Sequence, residues 1–241
     1  LAVFREFDAP HTVYVTSDFA AGTGRLWWVA LERVIANAEV IEAEIGGRMT
    51  RMEARTPVQK QAVFDRLHHW LRALPGEHDL SREVSRLCAR HGGDENAISR
   101  ELCMSFEELK AFATDPLVTI GAHTITHPNL ARQREEAALN ELRAGRERIE
   151  AALARPVLHL AYPYGDKCAA GPREFALAKA AGFKTAVTTR PGMLFAESAD
   201  HLTALQRVSL NGNYQDERIL PVLTSGAATA MWNGFRRIDA A

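Results

Sequence analysis

Short apolar runs alternate with longer amphipathic stretches over the second half of the chain. Such runs begin at Val118, Val157 and Lys184, and each predicts a strand. The stretches between them, residues 130–153 and 172–181, repeat apolar residues at helical spacing. This alternation of strand and helix is typical of a parallel α/β sheet or barrel.

The first half of the chain has a different pattern, with one strand and mostly helices. It predicts a strand and three helices, at residues 12–17, 26–44, 57–74 and 81–91. Because no disordered linker bounds residues 46–104, we interpret them as a helical insertion and residues 1–241 as a single domain.

Composition narrows the class of function. The chain of 241 residues is 46% hydrophobic and 24% charged, with a net charge of −1, so nothing indicates binding to nucleic acid or to an anionic membrane surface. No apolar run has the length of a transmembrane helix. Cys88, Cys103 and Cys168 lack the spacing of a disulfide framework or a zinc site. Reduced thiols mildly favour the cytoplasm, and the compartment and the oligomeric state otherwise stay open.

Two histidines follow the strand that begins at Val118. Pro128 disfavours helical geometry at His127, so His123 and His127 are predicted on a loop at the carboxyl end of this strand. Open α/β sheets and barrels carry their chemistry at such ends, and imidazole is a common ligand of Zn²⁺. The spacing therefore favours a metal site, with surface or core histidine as the alternative.

Two motifs together resemble a known family. Residues 121–130 (GAHTITHPNL) and 161–166 (AYPYGD) are similar to the second and third motifs of the polysaccharide deacetylases, the family with the NodB homology domain (carbohydrate esterase family 4). Residues 184–192 look like a later strand of that family. The resemblance implies a distorted (β/α) barrel with fewer strands than a TIM barrel. It also implies an enzyme that removes N-acetyl groups from a sugar polymer or oligomer.

The resemblance also implies roles for individual residues. His123 and His127 would bind a divalent metal, usually zinc, together with an Asp. The backbone N–H of Tyr164 would stabilise the oxyanion, and Pro163 would line the groove that binds the acetylated polysaccharide or oligosaccharide. This chemistry is reasonable, because a metal polarises an amide carbonyl and lowers the pKa of its bound water to about 7.

The chain departs from the family at three places. The opening motif with its Asp pair is not found in its usual form, and residues 16–19 (TSDF) are the one candidate for a substitute. We interpret residues 10–19 as the family's second strand, which would place the first strand upstream of Leu1 and Asp18 at the rim of the groove. Ala161 stands where the family usually has an Arg. The general base and acid stay unassigned, because His159 and His201 are better interpreted as structural or exposed.

These departures leave other functions open. The first alternative is a relative without catalytic activity that binds carbohydrate or serves as a scaffold on the same fold. A weaker alternative is a metal hydrolase of the same barrel that acts on a small C–N amide.

Overall fold

The computed structural model describes residues 2–210, 212 and 216–236. The chain forms two compact units. The first consists of the residues up to 17 and those from 109 onward, and the second is Asp18–Glu108.

The described elements follow in chain order. The strands are β1 (His11–Val15), β2 (Val40–Ile45), β3 (Arg48–Glu53), β4 (Val118–Ala122), β5 (His159–Ala161), β6 (Thr185–Pro191) and β7 (Leu205–Arg207). The α-helices are α1 (Ala2–Glu6), α2 (Ser17–Ala20), α3 (Trp27–Asn37), α4 (Pro57–Ala73), α5 (Glu77–His91), α6 (Ile98–Leu102), α7 (Phe106–Phe112), α8 (Glu135–Leu153), α9 (Pro172–Ala180), α10 (Ile219–Thr224) and α11 (Ala227–Trp232). Two short 3₁₀ helices span Leu130–Arg132 and Ala196–His201.

A parallel sheet organises the first unit. Its five strands lie in the order β1-β4-β5-β6-β7, and each neighbouring pair is parallel. The predicted α/β class with a parallel sheet is therefore confirmed, and the arrangement is consistent with the NodB type of (β/α) fold. All these strands end at one edge of the sheet, which is where the sequence places its candidate chemistry.

The long helix α8 covers part of this sheet. It buries an apolar stripe that includes Leu142 and Ile149, and both side chains are fully buried. The strands supply Ile120 and Leu160, which are also inaccessible to solvent. Each such side chain contributes about 1.5–3 kcal/mol relative to an exposed position, so α8 has a fixed place beside β4.

The second unit is not purely helical. The helix predicted at 26–44 ends at Asn37, and residues 40–45 form β2, which pairs with β3 as an antiparallel hairpin. Gly46 and Gly47 both have positive φ, which is typical of a tight hairpin turn. Ile41 and Ala43 are buried on alternate positions, so the period of two overrides the helical spacing.

Two outcomes follow for the predicted insertion. Residues 46–104 contain a strand as well as helices, and the compact unit begins at Asp18. Whether this unit is an insertion within a single domain stays a prediction. Within the part of the chain that the structure describes, no helix combines the length and the apolar character needed to cross a membrane.

Candidate metal centre

His123 directly follows β4 and is fixed by hydrogen bonds of its backbone. Its N–H donates to the carbonyl oxygen of Val15 at 2.7 Å, and the hydroxyl of Thr16 donates to its carbonyl oxygen at 3.0 Å. In the ring, Nδ1 lies 2.6 Å from the carbonyl oxygen of Ala161. Because a carbonyl oxygen only accepts, Nδ1 carries the hydrogen, and Nε2 of the neutral ring has the lone pair that a metal needs.

His127 lies across a tight loop from His123. The two ring centroids are 4.8 Å apart, and the ring planes are inclined at 71°. Thr124 and His127 both have left-handed backbones, with φ of 67° and 65°, and the N–H of His127 donates to the hydroxyl of Thr124 at 3.0 Å. The loop thus turns back on itself and brings together the two histidines that the sequence singles out.

Both imidazoles are neutral at pH 7. Burial lowers the pKa of His123 to about 4, and the nearby positive charge of Arg207 also lowers it. Burial lowers the pKa of His127 to about 3, with a further contribution from His123. Each of the two residues as a whole is partly accessible to solvent. Neutral imidazole is the form that binds Zn²⁺, so the electrostatics of the pair fit metal ligands.

The loop between the histidines is held from outside by Glu141 of α8. Its Oε2 accepts hydrogen bonds from the N–H groups of Ile125 and Thr126 at 2.9 and 3.0 Å. Its Oε1 accepts a third from the hydroxyl of Thr126 at 2.9 Å. One carboxylate thus contacts two successive residues of the loop.

The second motif loop, at residues 163–166, meets the first through Tyr164. The ring of Tyr164 lies 5.1 Å from the ring of His127, with an angle of 66° between them. Tyr164 and Gly165 have φ of 61° and 64°. The side chain of Thr189 donates to the carbonyl oxygen of Tyr164 at 2.7 Å, and its N–H donates to that of Gly165 at 3.0 Å. The structure therefore brings Tyr164 beside the histidine pair.

The other predicted residues have different positions. Pro163 is buried in the same turn. Asp18 belongs to the second unit, where its carbonyl oxygen accepts from Gly24 N–H at 2.8 Å, and its place at a groove rim stays a prediction. Nδ1 of His159 lies 2.8 Å from the hydroxyl oxygen of Thr185 on the neighbouring strand. His201 is exposed in a 3₁₀ helix. These positions agree with structural or exposed roles for both histidines.

The residues present fit a metal as two of its ligands. Among the residues that the structure describes, no cluster of three or more His, Cys, Asp or Glu side chains could hold an ion. The pair has nitrogen donors in the neutral form that binds metal. His123 and His127 would therefore be two of the ligands of an ion.

Sequence reasoning missed three residues around the pair. Tyr14 packs on Gly121, since a Cβ at Gly121 would lie 2.5 Å from the Tyr14 ring. Burial raises the pKa of Tyr14, and the positive charge of Arg207, at the end of β7, partly opposes this. The same charge adds to the lowering of the pKa of His123. Glu141 is the third. It had a signal in the sequence, because it lies at helical spacing within the buried stripe of α8, between Ala138 and Gly145.

Residues 93–186 match the family model described as polysaccharide deacetylase. A search of curated proteins found no match. Solved structures similar to the chain include the deacetylase PplD of Streptococcus pyogenes in complex with acetate, at 21% identity with a TM-score of 0.44. That alignment covers 50% of each chain.

Two further structures are similar over different lengths. A polysaccharide deacetylase from Bacillus cereus is 25% identical with a TM-score of 0.38, over 43% of this chain and 31% of its own. The BpsB deacetylase domain of Bordetella bronchiseptica is 13% identical with a TM-score of 0.46, over 86% of this chain and 63% of its own. The chain thus spans half or less of the first two.

These structures align with too little of the chain to indicate its family. The family is indicated by the family model and by the two motifs that it spans. The matched segment includes β4, both histidines, the loop that Glu141 holds, and the turn with Tyr164. The match of residues 93–186 to the polysaccharide deacetylases thus supports, over this segment, the family that the two motifs indicate.

Proposed function

We propose that this chain is a metal-dependent hydrolase that removes N-acetyl groups from a polysaccharide or oligosaccharide, with water activated at the metal. The observation that carries the proposal is the pair of neutral imidazoles at the carboxyl end of β4, 4.8 Å apart and within the family segment. Two nitrogen ligands leave other positions for a carboxylate, water and substrate. Imidazole nitrogens are suitable ligands for zinc.

The residues of the chain have distinct tasks in this proposal. His123 binds through Nε2, because Nδ1 is engaged with Ala161, and His127 binds from the other side of the loop. When bound, a divalent ion supplies Lewis-acid polarisation of the acetyl carbonyl and makes water acidic enough to deprotonate near pH 7.

The turn at residues 163–166 supplies the second part of the site. The backbone N–H of Tyr164 is proposed to donate a hydrogen bond to the oxyanion that forms when the amide carbonyl is attacked. This N–H belongs to the peptide group between Pro163 and Tyr164, whose carbonyl oxygen accepts from Gly165 N–H at 2.6 Å. Thr189 holds the next peptide group, through the carbonyl oxygen of Tyr164. Pro163 and Asp18 are proposed to contact the sugar. The departing amine needs a proton, and the acid that supplies it stays unassigned.

The test measures metal content and acetate release with the same protein. The chain is incubated with Zn²⁺, desalted, and assayed on N-acetylglucosamine oligomers. His123→Ala and His127→Ala should each lower bound zinc and acetate release by at least about 100-fold, because one nitrogen ligand cannot retain the ion. His201→Ala, an exposed histidine outside the pair, should match the unchanged protein. Retention of zinc and activity in both ligand variants would contradict the proposal.

A carbohydrate-binding relative without catalysis is the second candidate. Two observations favour it: Ala161 replaces the Arg of the family motif, and no carboxylate joins the histidine pair among the described residues. In this case the chain would bind the oligomers in calorimetry and release no acetate, whether or not zinc is added. A small C–N amide as substrate would instead give amine release from small amides and none from oligomers.

A further inference from the structure

We infer that Glu141 is a positioning residue that holds the loop between His123 and His127 in the conformation that binds metal. The inference rests on the proposed function, since it concerns the same pair of ligands. It also goes beyond it, because Glu141 lies on α8 and its three hydrogen bonds are with the loop rather than with either imidazole.

The loop has a conformation that needs external support. Thr124 and His127 have φ of 67° and 65°, a region that residues other than glycine seldom adopt. Such backbones persist where the surrounding contacts determine them. The hydroxyl of Thr124 already receives the N–H of His127, which closes the loop on itself. Two further N–H groups of the loop, those of Ile125 and Thr126, donate to Glu141.

Glu141 accepts hydrogen bonds from both of these N–H groups and from a hydroxyl of the loop. Its Oε2 accepts both N–H groups, at 2.9 and 3.0 Å, while Oε1 accepts the hydroxyl of Thr126 at 2.9 Å. Three hydrogen bonds fix the carboxylate relative to the loop, and α8 fixes the carboxylate relative to the sheet. The spacing of the two histidines is thus tied to the position of a helix.

Gly145, one turn further along α8, supports the same conclusion independently. Glycine is a poor residue for the middle of a 19-residue helix, where alanine would be favoured by about 1 kcal/mol. A Cβ at Gly145 would lie 2.7 Å from the carbonyl carbon of Thr124 and 3.0 Å from the nitrogen of Ile125. The backbone of the loop therefore rests directly on α8, at a place where only glycine leaves room.

The experiment compares four variants of the full chain in two measurements. The first is the affinity for Co²⁺, from its visible absorption during titration. The second is amide hydrogen exchange at Ile125 and Thr126 in the metal-free protein. Glu141→Ala should weaken Co²⁺ binding about 10–100-fold, the range for residues that orient ligands, and should accelerate exchange at both amides. Gly145→Ala should act in the same direction.

Glu141→Gln provides the rescue. Its amide oxygen can replace Oε2 as the acceptor of two N–H groups, and its NH₂ can donate to the hydroxyl of Thr126. It should therefore stay within about threefold of the unchanged protein. Glu147→Ala removes an exposed carboxylate from the same helix and should change neither measurement.

Each other outcome has a definite meaning. If Glu141→Ala matches Glu147→Ala in both measurements, or if Glu141→Gln is as weak as Glu141→Ala, the inference is wrong. It is also wrong if exchange accelerates equally at Ile120 in β4, because the whole sheet would then have opened. If the unchanged chain binds no Co²⁺ while Glu141→Ala still frees the two amides, the proposed function fails and the role of Glu141 in fixing the loop stands.

Discussion

The two motif loops lie at the carboxyl ends of neighbouring strands and are held in different ways. The loop after β4 is held by a side chain on a helix, through three hydrogen bonds to Glu141. The turn after β5 is held by the next strand of the sheet, through the N–H and the hydroxyl of Thr189. The first loop depends on a single side chain. The second depends on one side-chain hydroxyl and on one backbone N–H, which a substitution of Thr189 leaves in place. Substitutions should therefore loosen the first loop more selectively than the second.

The largest effect should come from filling the space behind the second loop. A Cβ at Gly165 would lie 2.8 Å from the nitrogen of Thr189, and φ is +64° there. Gly165→Ala should lower the free energy of unfolding by about 3 kcal/mol in urea titrations, since strain and a backbone clash combine. Gly92→Ala has the same left-handed φ with open space around it, and should lose only about 1 kcal/mol. Equal losses in the two variants would mean that the close contact with the Thr189 nitrogen does not destabilise Gly165→Ala.

Acid should distinguish the loops next. The pKa values of His123 and His127 fall to about 4 and 3 on folding, against about 6.5 in the unfolded chain. Between these values the unfolded state binds more protons, so the stability of the metal-free protein decreases as the pH falls below 6.5. We expect a loss of about 2 kcal/mol between pH 6.5 and 5.5 in urea titrations, about 1 kcal/mol for each histidine. His127→Asn should make this dependence shallower, and a flat profile in the unchanged protein would contradict the burial of the pair.

Removing the hydroxyl of Thr189 should have a smaller effect. Thr189→Val deletes the hydrogen bond to the carbonyl oxygen of Tyr164 and keeps the N–H that donates to Gly165. The loss should be about 1 kcal/mol, because the contact is partly buried. If Tyr164 contributes to the oxyanion site, kcat for acetate release should fall while KM stays similar. A change in KM alone would place the turn in sugar binding instead.

The smallest effect is expected at the exposed end of the first loop. Thr126→Val removes one of the three hydrogen bonds to Glu141 and leaves both N–H donors in place. Since this hydroxyl is exposed, thermal denaturation should register about 0.5 kcal/mol or less. A loss as large as that of Thr189→Val would mean that the exposed hydroxyl of Thr126 stabilises the first loop as much as the hydroxyl of Thr189 stabilises the second.

Much of the first unit could be predicted from the sequence, since its apolar runs have one interpretation. β4 is bounded on one side by α7 and on the other by a proline, and both histidines fall where this arrangement puts them. The hairpin β2–β3 could not be predicted in the same way, because its apolar residues Ile41 and Ile45 also fit the spacing of the helix before it. Gly46 and Gly47 were the residues that could have indicated a hairpin, because two adjacent glycines permit the positive φ values of its turn.

The site was predicted less evenly. His123, His127 and Tyr164 were found because their motifs are local in sequence. Glu141 and Arg207 act across 14 residues or more from His127, and Tyr14 reaches Gly121 only through strand pairing. Such residues are brought together by the packing of elements, which a pattern along the chain does not encode.

The hydrogen bond from Nδ1 of His123 to Ala161 has an acceptor that no substitution can delete. Every residue type has the same main-chain carbonyl, so the protonation pattern of this imidazole is inherited from the path of β5 and is independent of the side chain at position 161. A substitution at position 161 that preserves the path of β5 consequently leaves the ligand atom of His123 with its lone pair.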